Sequence, residues 1–138
     1  KRWYSRTANH RFNVVAVDCG IKLNIVRSLN ARGCNVTVVP WNTDAAQIRA
    51  MKPDGVLFSG GPGDPRDIPE TIETARALRG KLPIFGIGAG HQVVALAYGA
   101  RVYKLKSGTG ATTRCAVWKR GRSPSPPRTT TTPWTPIR

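Results

Sequence analysis

A chain of 138 residues with 40% hydrophobic side chains is long enough for one domain with its own core. No apolar run approaches the ~18 residues of a membrane-spanning helix, and three cysteines (Cys19, Cys34, Cys115) without CxxC spacing or partner histidines argue against a metal knuckle and suit a reducing compartment. The formal net charge of +15 admits nucleic acid or an anionic membrane as partner, but it is unevenly placed: every Asp and Glu precedes Ser107, while Arg114, Lys119, Arg120, Arg122, Arg128 and Arg138 follow it.

The chain opens at Lys1 on a polar stretch, KRWYSRTANHRF, read as a linker remnant over residues 1–12 of a longer protein. Asn13 to Val17 is a β-branched run suited to a strand buried on both faces. GIKLNIVRSLNARG then places Ile21, Ile25 and Leu29 on one helical face beside Val26, with Gly33 able to end the helix. Val36 to Val39 is a second strand. TDAAQIRAMKP is a short helix capped by Thr43 or Asp44, with Pro53 past its end. Gly55 to Phe58 is a third strand, and DIPETIETARALRG a helix with Ile72, Ala75 and Leu78 inward. Pro83 to Ile87 is a fourth strand, GHQVVALAYG a helix and RVYKLK a fifth strand. Strict alternation with short connections predicts a doubly wound α/β fold, a parallel sheet with helices on both faces.

In such sheets ligands bind beyond the carboxyl ends of the strands, and three loops fall there: DCGIK, SGGPGDP and GIGAGHQ. SGGPGDP, Ser59 to Pro65, suits an anion-binding nest of N–H groups or an ordinary Gly-Pro turn. GIGAGHQ has the strand–turn–helix form of a nucleophile elbow, with Gly88 where the Ser or Cys would stand. The first N–H groups of the following helix can stabilise an oxyanion there. Gln92 lies in the first helical turn, placed to touch a ligand, while His91 reads as a capping or core histidine before a base. Asp18 can bind a ligand or hold helical N–H groups, the second being favoured; Lys22 reads as a solvated surface lysine.

Taken together these motifs resemble the glutaminase domain of the carbamoyl phosphate synthase small chains, class I (triad-type) glutamine amidotransferases. DCGIKLNIVRSL is similar to the family's D-x-G-I-K-x-N-I-x-R-x-L, FSGGPGDP to L-S-N-G-P-G-D-P with Gly60 for Asn, and PIFGIGAGHQ to P-I-x-G-I-C-x-G-H-Q with Gly88 for Cys. ALAYGARVYKLK also fits, so the likeness runs from about Val14 to Lys106 with the motifs in family order. It implies a flavodoxin-like fold and a cysteine that attacks the side-chain amide of glutamine, activated by a downstream His that a Glu orients. Ammonia passes to a separate large (synthetase) subunit, which would hold ATP and Mg; no cofactor or metal is expected in this chain. Residue by residue, Gly88 takes the place of the lost nucleophile. Gly61 and Ala89 would supply the oxyanion N–H groups, and Gly61, Gly63 and Gln92 would hold glutamine. The resemblance further implies a cytoplasmic ligase component of pyrimidine or arginine biosynthesis.

Beyond Lys106 the family pattern stops. Inserting one base before Ser107, with free choice among synonymous codons, recovers F-G-H-R-G-N-N and later I-T-S-Q-N-H-N-Y-A-V-D, both family-like. Residues 107–138 are therefore expected to be an out-of-frame, low-complexity and disordered tail, and 13–106 a partial amidotransferase domain lacking its C-terminal half. Its last strand would leave an uncovered sheet edge. On this view the family's His and Glu are absent and the chain is catalytically inactive. Two alternatives stand beside this: a non-catalytic pseudo-glutaminase docked on a synthetase partner, and a basic nucleic-acid-binding protein with Trp118 and Trp134 among its basic residues. The frame shift accounts for the basic tail without nucleic acid, and no membrane partner is expected.

Overall fold

The structure, a computed structural model, describes residues 2–102. In chain order the elements are β1 (Trp3–Ser5), β2 (Phe12–Asp18), α1 (Leu23–Ala31), β3 (Cys34–Pro40), α2 (Ala45–Ala50), β4 (Gly55–Phe58), a 3-10 turn (Pro65–Asp67), α3 (Pro69–Leu78), β5 (Ile84–Gly86) and α4 (Ala89–Ala97). One five-stranded sheet has the order β1-β3-β2-β4-β5. β2 pairs parallel with β3 and β4, and β4 with β5. The parallel strands, counted along the chain, lie 2-1-3-4, the flavodoxin-like order, which puts the topological switch between β2 and β4.

The two faces of the sheet are apolar for different partners. Val15, Val17, Val39, Val56 and Phe58 meet Ile48 of α2, Ile72, Ala75 and Leu78 of α3, and Val93 and Ala97 of α4. On the other face Ala16, Val36, Val38 and Leu57 meet Val26, Ile25 and Leu29 of α1 and Ile21 just ahead of it. The inward residues of α1 and α3 are those the 3.6-residue spacing selects. Burial of a side chain such as Phe58, which has no exposed surface, contributes about 1.5–3 kcal/mol.

Three features depart from the sequence reading. Trp3–Ser5, within the stretch read as linker, forms β1 and pairs antiparallel with β3, so the sheet is mixed and not wholly parallel. Trp3 packs against the α1-side core, and Ser5 Oγ donates to Asn30 Oδ1 at 2.6 Å, which ties the strand to α1. α1 begins at Leu23, later than Gly20, because the Asp18 carboxylate accepts the N–H groups of Gly20 and Ile21 at 2.9 and 2.8 Å and holds them in a turn. α3 begins at Pro69 because Asp64 caps a separate 3-10 turn ahead of it. Asp44 caps α2 as expected, accepting Gln47 N–H at 2.7 Å. Of the fifth expected strand, RVYKLK, Arg101 is exposed and outside any strand, and Val102 makes an isolated bridge and is buried; 103–106, and the whole of 107–138, lie outside the described residues. Phe85, paired in register with Leu57, is 66% exposed, so the face that α1 covers at β2 and β3 is open at β5 among the described residues.

Candidate functional site

The loops after β2, β4 and β5 meet at the carboxyl end of the sheet, beside the switch point. Ile87 N–H donates to Phe58 O at 3.0 Å and Ser59 N–H to Val17 O at 3.1 Å, so each strand hands its neighbour into the loop region. Gly61 lies against the first loop so closely that a Cβ there would sit 1.6 Å from the Cys19 carbonyl oxygen. No other residue type fits that position without moving the backbone.

The elbow itself is built from three glycines with different duties. A Cβ on Gly86 would meet Gly90 O at 2.4 Å, and one on Gly90 would meet Phe58 O at 2.0 Å. These two allow β5, β4 and α4 to touch backbone to backbone. Gly88 is different. Its φ of 58° and ψ of −121° form the strained turn at the N-cap of α4, yet a Cβ there would meet only Gly60 Cα, at 3.5 Å, an ordinary contact. The turn is exposed, and a side chain would project from it beside the glycine loop. The space for a nucleophile is present and the atom is not.

Around that position, His91 and Gln92 N–H groups return to Gly88 O at 3.0 and 3.4 Å. Ala89 is the first residue of the helix, so its N–H has no intrahelical acceptor and stands at the positive end of the α4 dipole. Gly61 and Gly88 therefore lie at one end of the sheet, as the alternation predicted, with Gln92 one turn into α4. Gln92 is buried and His91 is exposed, the reverse of a core histidine. Gly63 has φ 92° and nothing within 4 Å of a Cβ, so its glycine answers to backbone conformation and not to crowding. Asp18 takes the turn-holding role. Lys22 is exposed.

Among the described residues, Cys19 is the thiol nearest this end of the sheet. Burial, and secondarily the charge of Asp18, push it up to about 11. At neutral pH the protonated thiol dominates. Cys19 is thus no substitute for a cysteine at 88. Among the described residues no group of three or more His, Cys, Asp or Glu side chains is placed to hold a metal ion.

A glycine loop, an elbow and a helix N-terminus at the switch point of a 2-1-3-4 sheet are matched by the comparison with protein families. Residues 15–126 fit the family described as glutamine amidotransferase class-I. The chain belongs to that family. Among its relatives, the carbamoyl phosphate synthase small chain of Listeria monocytogenes serovar 1/2a is 60% identical over 95 residues, 69% of this chain and 26% of that one. Those of Lactococcus lactis subsp. lactis and Streptococcus mutans are 56% and 53% identical, over 69% and 70% of this chain and 27% and 26% of theirs. The chain thus spans about a quarter of the length of the curated relatives it matches. A solved structure from Thermoplasma acidophilum, assigned as one of the subunits of a GMP synthase, superposes with a TM-score of 0.59 at 27% identity, covering 71% of this chain and 50% of that one. The amidotransferase family match crosses Ser107, while the small-chain similarity spans 95 to 96 residues.

Sequence reasoning located the glycine loops but missed Ser59. This side chain is wholly buried; its Oγ accepts Cys19 N–H at 2.9 Å and donates to Gly60 O at 3.1 Å. The available signal was a hydroxyl ending the apolar run GVLF. Gly60, which departs from the family's Asn, is not sterically required: a Cβ there meets only Ile87 O at 3.5 Å.

Proposed function

We propose that this chain is part of the glutaminase domain of a carbamoyl phosphate synthase small chain and that, as written, it does not hydrolyse glutamine. Similarity of 52–60% to proteins of that name supports the first half. The single observation that carries the second is Gly88: the elbow has the turn, the helix N-terminus and the room for a side chain, and no nucleophile. In the reaction this site is built for, a thiolate at position 88 attacks the glutamine carboxamide carbon. The N–H groups of Gly61 and Ala89 take the developing oxyanion, and Gly63 and Gln92 hold the substrate. Ammonia leaves for a large synthetase subunit, which carries ATP and Mg, in the cytoplasm, for pyrimidine or arginine synthesis. A glycine at 88 stops this sequence before its first bond. Loss of covalent catalysis removes many orders of magnitude in rate.

The preserved close packing at Gly86, Gly90 and Gly61 favours a second role for the same domain, a silent scaffold on the synthetase subunit. The test is glutamate release from glutamine by four versions of the chain: the parent, Gly88→Cys, the parent with its frame restored from Ser107, and both changes together. Activity is expected only with both, since a thiol lacks its base without the restored segment and the base has nothing to activate without the thiol. Release by the parent, or no gain from the double repair with folding confirmed by circular dichroism, contradicts the proposal.

A further inference from the structure

The polar groups beneath the site form a chain that no catalytic role explains. Cys19 is held at two points. Its N–H donates to Ser59 Oγ at 2.9 Å and its carbonyl oxygen abuts Gly61. Nearby, Thr71 Oγ1 donates to Trp41 O at 2.8 Å, tying α3 to the loop after β3. Ser59 Oγ donates to Gly60 O at 3.1 Å, and Gly60 is the residue against which a side chain at 88 would rest. Ser59 has no exposed surface, and Thr71 has none. A buried hydroxyl in the glycine loop that accepts from the first loop, and is itself oriented by the neighbouring Gly60 carbonyl, ties the two loops together, and losing it leaves the Cys19 N–H without this partner.

We infer that Ser59 is the positioning residue of the glycine loop: by bridging Cys19 N–H and Gly60 C=O it sets the direction in which Gly61 presents its N–H to the elbow, with Cys19 serving as an anchor and not as a reactive thiol. This inference rests on the proposed glutaminase reading for its purpose, but not for its geometry. Gly61 cannot lean toward the first loop, since its Cα already lies against Cys19, and the Cys19 N–H to Ser59 Oγ bond opposes its leaning away. A donor held in this way needs no reorganisation when charge develops.

The test is site-resolved amide hydrogen exchange on the whole chain, with L-glutamine as the added probe. In the parent, the Cys19 amide should be protected to within about tenfold of the strand amides of Val17 and Phe58, although it lies in a loop. Exchange of Cys19 as fast as that of the open Gly63 overturns the inference without any variant. In Ser59→Ala, exchange at Cys19, Gly60 and Gly61 should rise about tenfold while α3 is unchanged, and glutamine-induced shifts at Gly61 and Ala89 should need about tenfold more ligand. A uniform rise across all elements, the mark of general loosening, or no rise in the loop, overturns it. Glutamine shifts absent in the parent, with the local exchange pattern intact, would sink the glutaminase reading and leave the positioning role standing. Shifts present without the local pattern do the reverse.

Discussion

The elbow end of the sheet and the groove along its β1 edge differ in a way that separates space from function. The groove is a hollow of 830 Å³ lined by Arg2, Tyr4, Asn42, Thr43 and Gln47 among others, lying between β1, β3 and α2. It collects polar and apolar groups without any close approach or strained turn. The elbow end is marked by close approach instead. Its backbones lie so near one another that three of its glycines leave a Cβ no place, while Gly88, at the turn itself, combines room for a side chain with a φ of 58° that L residues rarely adopt. Close backbone approach and stored strain are costly to build. Their presence marks the site better than volume does.

Substitutions can sharpen or break that contrast. The largest effect is expected beneath the elbow: Phe58→Ala empties the fully buried ring between β4 and α4 and should cost about 3–5 kcal/mol in urea unfolding. Gly90→Ala should cost about 3 kcal/mol or more, since its methyl would lie 2.0 Å from Phe58 O and must force α4 off the sheet. Gly88→Ala, two residues away, should cost only about 1–2 kcal/mol, the strain of a side chain at φ 58° without a clash. A cost at 88 equal to that at 90 would mean the elbow has no room for a nucleophile. In the groove, Gln47→Ala should change stability by less than about 0.5 kcal/mol, because the cap of α2 uses its backbone N–H and not its side chain.

A pH measurement addresses the same contrast from the side of the thiol. With Cys19 raised to about 11, its deprotonated form is disfavoured in the folded chain, so alkylation at Cys19 should be negligible at pH 7 and climb until about pH 11. Peptide mapping that finds Cys19 modified rapidly at neutral pH would return it to consideration as a nucleophile.

Much of this was legible before the structure. The alternation of β-branched runs with 3.6-residue patterns gave the layers, and glycines directly after strands gave the site end. What escaped has physical causes. β1 is three residues with one apolar side chain turned inward, too short for a two-residue period to register, and it is secured by a tertiary bond from Ser5 to Asn30. The start of α1 was displaced by the Asp18 carboxylate, a side chain competing for backbone N–H groups that helical pattern cannot foresee. Ser59 looked like part of a turn because spacing does not reveal which hydroxyls become buried bridges. The exposure of His91 and burial of Gln92 follow from the phase of α4 on the sheet, fixed by Val93 and Ala97.

The central claim, that position 88 is an intact elbow lacking only its nucleophile, is tested most directly by covalent labelling with a glutamine analogue bearing a chloromethyl ketone. In Gly88→Cys, mass spectrometry should place the label at residue 88, and excess L-glutamine should suppress it; the parent should carry none at Cys19. Labelling of Cys19 in the parent that glutamine suppresses, or a folded Gly88→Cys chain whose residue 88 is no more reactive than Cys34, would contradict it.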